Sequence, residues 1–196
     1  MRSRADITAA ILAGGEGRRV GGNDKGLLEL AGRPLVAHVA AALHGQAGSI
    51  FVCANRHAHE YAHFGTVIAD TQPGFQGPLA GIAAALERCQ TDWMLTVPVD
   101  APNPPRDLTE RLLAAADAAQ ADAAVAHDGM RRQPLFALYR TRLIKDAAEV
   151  LAVDPSVHGW QDLIGAVEVD FSDRASSFAN LNTLDELREW EKHHAG

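Results

Sequence analysis

The sequence predicts an α/β protein whose mostly parallel, doubly wound sheet is covered by helices on both faces. Short apolar or β-branched runs alternate with helical patterns along the chain, which is typical of such sheets. The 196 residues, 47% of them apolar, can bury one substantial core and match the size of a single α/β domain. We therefore expect one domain spanning residues 1–196.

Seven strands and several helix ends are predicted individually. The strands are expected at residues 7–12, 49–54, 66–69, 93–99, 123–126, 135–139 and 166–171. Pro34 suits the first turn of a helix that contains Leu35. Thr183-Leu-Asp-Glu186 has the spacing of a capping box and predicts a last helix, and the Ala-rich residues 114–126 predict a helix followed by a strand.

Charge and composition narrow the classes of partner. A formal net charge of −7 and a pI near 5.7 disfavour binding to nucleic acid or to an anionic membrane. No apolar run has the length of a signal peptide or a membrane span, so we expect a soluble, cytoplasmic protein, and we expect it to be a monomer. Cys53 and Cys89 lack Cys-x-x-Cys spacing and are expected to be small core residues.

A glycine-rich segment follows the first predicted strand. Residues 12–26, LAGGEGRRVGGNDKG, contain six glycines, two arginines and one lysine. Glycine lets backbone N–H groups turn toward an anion, and Arg18, Arg19 and Lys25 add positive charge that suits a polyphosphate. The alternative is a flexible, solvated surface loop, but such loops seldom begin where a buried strand ends.

Two familiar phosphate-binding motifs do not match this segment. A dinucleotide fingerprint needs a third glycine where this chain has Val20, so a NAD-dependent oxidoreductase is disfavoured. A nucleoside-triphosphatase P-loop needs Lys followed by Ser or Thr after Gly22, whereas the chain continues with Asn-Asp-Lys-Gly.

Polar residues follow several of the predicted strands. Because ligands bind beyond the carboxyl ends of parallel strands, we expect the glycine-rich segment, Asn55, Asp70 and Asp100 to share one edge of the sheet. Asp100 ends a buried strand, and its carboxylate could bind Mg²⁺ together with substrate phosphates or, alternatively, close an Asx turn.

Three further motifs have both a functional and a plain interpretation. Gly77-Pro-Leu-Ala-Gly81 permits close approach of a ligand at a helix start, or simply marks a turn before a helix. Asn180 and Asn182 can bind a polar heterocycle or phosphate, or form loop hydrogen bonds. His59-Glu-Tyr-Ala-His63 matches the zinc-protease helix pattern, but the extended pattern fails because Ala69 replaces its third histidine.

Taken together, these motifs resemble the signature of molybdenum cofactor guanylyltransferases. The resemblance rests on Leu12-Ala-Gly-Gly-x-Gly-x-Arg-x-Gly-Gly-x-Asp-Lys-Gly26, Gly32-Arg-Pro-Leu35, Ala54-Asn-Arg56, Gly77-Pro-Leu-Ala-Gly81, Pro98-Val-Asp100 and Asn180-Leu-Asn-Thr183, in that order over nearly the whole chain. It implies a three-layer, Rossmann-like sheet of the nucleotidyltransferase type. The implied reaction is transfer of GMP from GTP to molybdenum-molybdopterin, with release of pyrophosphate and Mg²⁺ as cofactor.

The resemblance also implies roles for individual residues. The implied nucleotide-binding residues are Leu12, Ala13, Gly14, Gly15, Lys25, Asn55, Asp70, Gly77, Gly81 and Asp100. The implied catalytic residues are Arg19, Lys25 and Asp100, with Asp100 as the metal ligand, and the implied molybdopterin-binding residues are Arg19, Gly22, Asn180 and Asn182. The Asp70 carboxylate could accept from the two adjacent N–H donors of guanine, a pattern that cytosine does not offer.

Other functions stay open at this point. They are a related nucleotidyltransferase that uses CTP or a sugar phosphate, a GTP-binding protein that delivers the cofactor without catalysis, and a zinc peptidase built on His59 and His63. The expected partners are GTP and molybdenum-molybdopterin as substrates, with molybdoenzymes or their chaperones as recipients of the product.

Overall fold

A computed structural model of the chain describes residues 4–14, 24–70, 77–181, 183 and 186–190. Its strands are β1 Ile7–Leu12, β2 Glu29–Leu30, β3 Arg33–Pro34, β4 Ser49–Cys53, β5 Thr66–Ile68, β6 Trp93–Pro98, β7 Ala123–His127, β8 Arg132–Arg140 and β9 Val167–Asp170. Its helices are α1 Leu35–Leu43, α2 Ala58–Tyr61, α3 Pro78–Arg88, α4 Leu108–Ala119, α5 Ile144–Leu151 and α6 Val157–Leu163. All seven predicted strands are present.

Seven strands form one sheet in the order β5-β4-β1-β6-β8-β7-β9. Every neighbouring pair is parallel except the two that involve β8, which is antiparallel to both β6 and β7. The predicted α/β class with a mostly parallel sheet is therefore confirmed. The carboxyl ends of β1, β4, β5 and β6 are level with one another, since Leu12 is opposite both Cys53 and Pro98, and Cys53 is opposite Ile68.

Each face of the sheet is packed against its own set of helices. In β1 and β6 all residues are buried, because alternate side chains enter two different cores. One core joins Ile11 and Leu95 to apolar residues of α1 and α4, and the other joins Leu12 and Met94 to α3, α5 and α6. Helices thus cover both faces, as the sequence predicts.

A small hairpin that the sequence does not signal lies beside the main sheet. β2 and β3 are joined by Ala31 and Gly32, which have φ angles of +50° and +71°. Turns with two positive φ angles usually contain Asn or Asp before Gly. Because this turn has Ala31 at that position, the sequence does not predict it. The hairpin's Leu30 packs with Leu35, Leu181 and Leu187. It thereby joins the helical residues 186–190, beyond α6, to the start of α1.

Local signals in the sequence are largely confirmed. Thr183 and Glu186 form a reciprocal capping box, with N···O distances of 2.9 and 3.2 Å. Pro34 immediately precedes α1 as its N-cap, one position before the predicted first turn. Cys53 is buried and Cys89 is half-buried, and neither forms a disulfide. Among the described residues, no helix is both long enough and apolar enough to span a membrane.

Candidate active site

The ends of four parallel strands are tied into a single edge by backbone hydrogen bonds beyond the strands themselves. Ala13 N donates to Cys53 O at 3.0 Å, Ala54 N donates to Ile68 O at 2.9 Å, and Val99 N donates to Leu12 O at 3.1 Å. The residues that follow each strand are therefore held next to one another. This edge brings together Leu12–Gly14, Asn55, Asp70 and Asp100, as the parallel-sheet rule predicts.

The charged centre of this edge is an ion pair between Lys25 and Asp100. Lys25 Nζ donates to Asp100 Oδ2 at 2.8 Å, and the two side chains are 22% and 20% exposed. Lys25 opens a short 3-10 helix, Lys25–Leu27, whose first turn is capped by the Asp24 carboxylate. Residues 75 positions apart in the sequence thus form one partly buried, solvent-accessible pair.

The second carboxylate oxygen of Asp100 contrasts with the first, since no described residue donates a hydrogen bond to it. Oδ1 is buried and has no hydrogen-bond partner in the described part of the chain. The carboxylate therefore faces Lys25 and does not close the alternative Asx turn. A buried anionic oxygen without a donor is costly, and the usual compensation is a bound cation or an ordered ligand.

Asn55 and Asp70 form a second, reciprocal pair at the same edge. Asn55 Nδ2 donates to Asp70 Oδ2 at 2.7 Å, and the backbone N of Asp70 donates to Asn55 Oδ1 at 2.8 Å. Both functional atoms of the amide thus contact Asp70. The sequence placed the two residues at one edge but did not indicate that they bind each other.

The start of α3 lies beside this pair. A Cβ added to Gly81 would be 3.8 Å from Asp70 Oδ1 and 3.8 Å from Leu12 Cδ2. Gly81 therefore belongs to the predicted edge. Gly77 has a φ of +131°, so its glycine is needed for the turn into the helix, and a Cβ there would meet nothing within 4 Å.

Cys53 lies behind the pair and does not face the site. Its Sγ donates to Gly81 O at 3.6 Å, and the side chain packs in the core formed with α3. Burial, reinforced by the nearby Asp70 carboxylate, raises the pKa of the thiol to about 12. Cys53 is therefore uncharged near neutral pH, and it is the small core residue that the sequence predicts.

The segment after the last strand returns to the ion pair. Leu181 N donates to Asp100 O at 2.8 Å, which places Asn180 directly beside the Asp100 backbone. The structure thus brings the first of the two predicted pterin-binding asparagines to the charged centre. Four other predicted site residues, Gly15, Arg19, Gly22 and Asn182, lie outside the described residues.

The zinc-protease motif does not form a metal site in the described part of the chain. Helix α2 ends at Tyr61, before His63, and the rings of His59 and His63 are 5.7 Å apart in an edge-to-face arrangement. Glu60 pairs with His57 instead, at 3.5 Å. Within the described ranges, no group of three or more His, Cys, Asp or Glu side chains could hold a metal ion.

An ion-pair cluster that sequence analysis missed lies at the start of β8. Arg132 donates to Glu168 Oε1 and to Asp162 Oδ1, and it is 15% exposed. Its guanidinium lowers the pKa of Asp162. The cluster joins β8, α6 and β9, whose residues are too distant in sequence for spacing to reveal the contact, and its one guanidinium pairs with two carboxylates.

A mostly parallel sheet with a glycine-rich segment after β1, and with a lysine–aspartate pair beyond its strand ends, is the arrangement that the sequence resemblance predicts for a nucleotidyltransferase. Comparison with known proteins makes the class specific: the family model described as MobA-like NTP transferase domain matches residues 9–166. The chain belongs to this family.

Curated relatives and a solved structure agree with this assignment. The molybdenum cofactor guanylyltransferase of Cupriavidus metallidurans is 44% identical to this chain over 194 residues, which cover 95% of each protein. The protein of the same name from Mannheimia succiniciproducens is 46% identical over 183 residues, which cover 92% of this chain and 96% of that relative. The crystal structure of molybdopterin-guanine dinucleotide biosynthesis protein A from Archaeoglobus fulgidus matches with a TM-score of 0.80 at 23% identity, covering 96% of this chain and 98% of that one. The structural match supports the fold, and the curated relatives confirm the resemblance seen in the sequence.

Proposed function

We propose that the protein transfers GMP from GTP to molybdenum-molybdopterin, releasing pyrophosphate and forming the guanine dinucleotide form of the cofactor. The observation that supports this most strongly is the arrangement of Lys25, Asp100 and Asp70 along one strand edge of a MobA-like fold. Relatives of nearly the same length bear the name of this activity.

The base and the triphosphate of GTP are assigned to different ends of the edge. Guanine presents two adjacent N–H donors, and the Asp70 carboxylate, held by Asn55, is an acceptor-only group that suits them. Lys25 is assigned to the phosphates, because its ammonium lies at the end of the glycine-rich segment. Leu12, Ala13 and Gly14 supply backbone groups between these two points.

The chemistry of Asp100 fits a magnesium ion. Mg²⁺ usually takes one or two carboxylates together with phosphate oxygens and water, so a single carboxylate with an unpartnered oxygen suffices. When bound, the ion would neutralise charge on the phosphates at the reacting centre. Asp100 would hold the ion beside Lys25, which already contacts its Oδ2.

No nucleophilic side chain is required of the protein. The acceptor's terminal phosphate is already ionised near neutral pH and can attack the α-phosphorus of GTP directly. The bond formed joins that phosphate to the GMP phosphorus, and the bond broken releases pyrophosphate. We assign Asn180 to orienting the acceptor, because the next residue, Leu181, donates to the Asp100 carbonyl. The protein's main task is then positioning and charge stabilisation. We place this reaction in the cytoplasm.

The test is pyrophosphate release measured with GTP or CTP, with and without a molybdopterin acceptor, in the presence and absence of Mg²⁺. We expect release only with GTP, acceptor and Mg²⁺ together. Preference for CTP would assign the protein to the related cytidylyl class, and tight GTP binding without release would assign it a delivery role. Lys25→Ala should lose both GTP affinity and rate, whereas Lys145→Ala, which removes an exposed lysine on α5, is the matched control.

A further inference from the structure

Tyr61 is the buried residue of the His59-Glu-Tyr-Ala-His63 motif, and it lies at the end of α2. Its side chain is fully buried, and its hydroxyl donates a hydrogen bond to Asp24 Oδ1. Burial, together with the hydrogen bond to Asp24, raises the pKa of the phenol, so the hydroxyl stays protonated and remains a donor near neutral pH. The motif that resembles a zinc helix therefore contributes an anchoring phenol.

Asp24 connects this anchor to Lys25. The same oxygen, Asp24 Oδ1, accepts from Gly26 N at 3.2 Å and so caps the short 3-10 helix that begins at Lys25. The Asp24 carboxylate thus accepts from both the Tyr61 hydroxyl and the backbone N–H of Gly26, the residue after Lys25. The backbone direction at Lys25 depends on this contact.

Packing around Gly26 independently fixes the backbone next to Lys25. A Cβ on Gly26 would overlap the Tyr61 hydroxyl and would lie 3.0 Å from Cγ2 of Val99, the residue before Asp100. Gly26 is therefore held between the phenol and the strand that presents Asp100. This explains how Lys25 Nζ reaches Asp100 at 2.8 Å.

We propose that Tyr61 is a positioning residue for the transfer reaction, which holds Asp24 and thereby keeps Lys25 directed at Asp100 and the nucleotide phosphates. The proposal rests on the proposed role of Lys25 in binding the triphosphate. Tyr61 acts through Asp24 and Lys25 and does not itself touch a substrate.

The central variant is Tyr61→Phe, which removes the hydroxyl and keeps the ring. We expect GTP affinity, measured by calorimetry with GTP and Mg²⁺ in the absence of acceptor, to fall on the order of tenfold, because a hydrogen bond to a carboxylate is lost. Asp24→Ala should lose at least as much, and Asp24→Asn, whose amide oxygen can still accept from both donors, should retain most of the affinity.

A matched control separates positioning from general destabilisation. Tyr139 is the other tyrosine, equally buried, and its hydroxyl accepts from Gln161 Nε2 at 2.6 Å in the opposite core. Tyr139→Phe should lower the unfolding temperature as Tyr61→Phe does, yet leave GTP affinity unchanged. An equal loss of affinity in both variants would overturn the proposal.

The coupling to Lys25 is tested in the double variant. If Tyr61 acts through Lys25, adding Tyr61→Phe to Lys25→Ala should cause no further loss of GTP affinity, whereas independent effects would add. Additive losses, or an unchanged affinity in Tyr61→Phe while Lys25→Ala is impaired, overturn the positioning role alone. Unchanged GTP affinity in Lys25→Ala counts instead against the proposed triphosphate site, and the role of Tyr61 falls with it.

Discussion

Replacing Asn55 by alanine should weaken the recognition of guanine without touching the base directly. The change removes two hydrogen bonds that hold Asp70, one of 2.7 Å to its carboxylate and one of 2.8 Å from its backbone N. A hydrogen bond to a charged group contributes about 1.5–3 kcal/mol, and the lower end applies because this pair is exposed to solvent. A cost of about 1.5 kcal/mol corresponds to roughly a tenfold loss in GTP affinity.

Inosine triphosphate makes the assay specific to the base. Hypoxanthine lacks the 2-amino donor of guanine, so the intact protein should bind GTP more tightly than ITP, by about tenfold for one lost hydrogen bond to Asp70. In Asn55→Ala this preference should shrink, because the carboxylate is no longer held in place, and in Asp70→Ala it should disappear. Equilibrium competition of the two nucleotides measures both quantities without any acceptor.

Three outcomes would refute this reasoning. If Asn55→Ala weakened GTP and ITP equally, Asn55 would contact the sugar or phosphates directly and would not act through Asp70. If neither affinity changed, the pair would have no part in nucleotide binding. A retained preference for GTP in Asp70→Ala would place the base elsewhere on the edge.

Three further predictions concern the charged centre and the core. Asp100→Asn should lower the rate of pyrophosphate release at saturating Mg²⁺ by on the order of a hundredfold or more while changing GTP affinity little; near-normal turnover would remove Asp100 from the reaction. Gly26→Ala should lower the free energy of unfolding, measured by urea titration, by about 1–3 kcal/mol, because its Cβ would overlap the Tyr61 hydroxyl. An unchanged urea midpoint would mean that this contact relaxes freely. The pKa of Cys53 is raised from 9.0 to about 12 on folding, so the unfolded chain releases this proton first as the pH rises. Stability should therefore fall by up to about 1.4 kcal/mol per pH unit above pH 9, and Cys53→Ala should reduce that slope.

The strands and their common edge could be predicted because their signals are local. Buried parallel strands are continuous apolar runs, and the residue after each run is then placed by the rule that parallel strands end at one side. Asp70 and Asp100 were located in this way without knowledge of any contact. The hairpin of β2 and β3 was missed because Ala31 adopts a positive φ that its residue type does not signal.

Side-chain partnerships could not be predicted from the sequence in the same way. Asn55 and Asp70 are 15 positions apart, and Tyr61 and Asp24 are 37 positions apart, so no short spacing links them. The direction of the Asn55 amide depends on the backbone path between β4 and β5, which periodicity does not specify. The histidine pattern around Tyr61 even suggested another chemistry, because the pattern does not show which of its side chains is buried.

The segment between β4 and β5 connects the two ends of the proposed nucleotide site. Asn55, at its start, holds the carboxylate assigned to the base, and Tyr61, at the end of α2, holds the carboxylate that directs Lys25 toward the phosphates. Neither residue needs to touch GTP for both ends of the nucleotide to depend on them. Because GTP must contact the Asp70 carboxylate and the Lys25 ammonium at once, a segment that positions both groups contributes to affinity by preorganisation. This explains why α2, whose other residues are exposed, contacts the site through its one buried side chain, Tyr61.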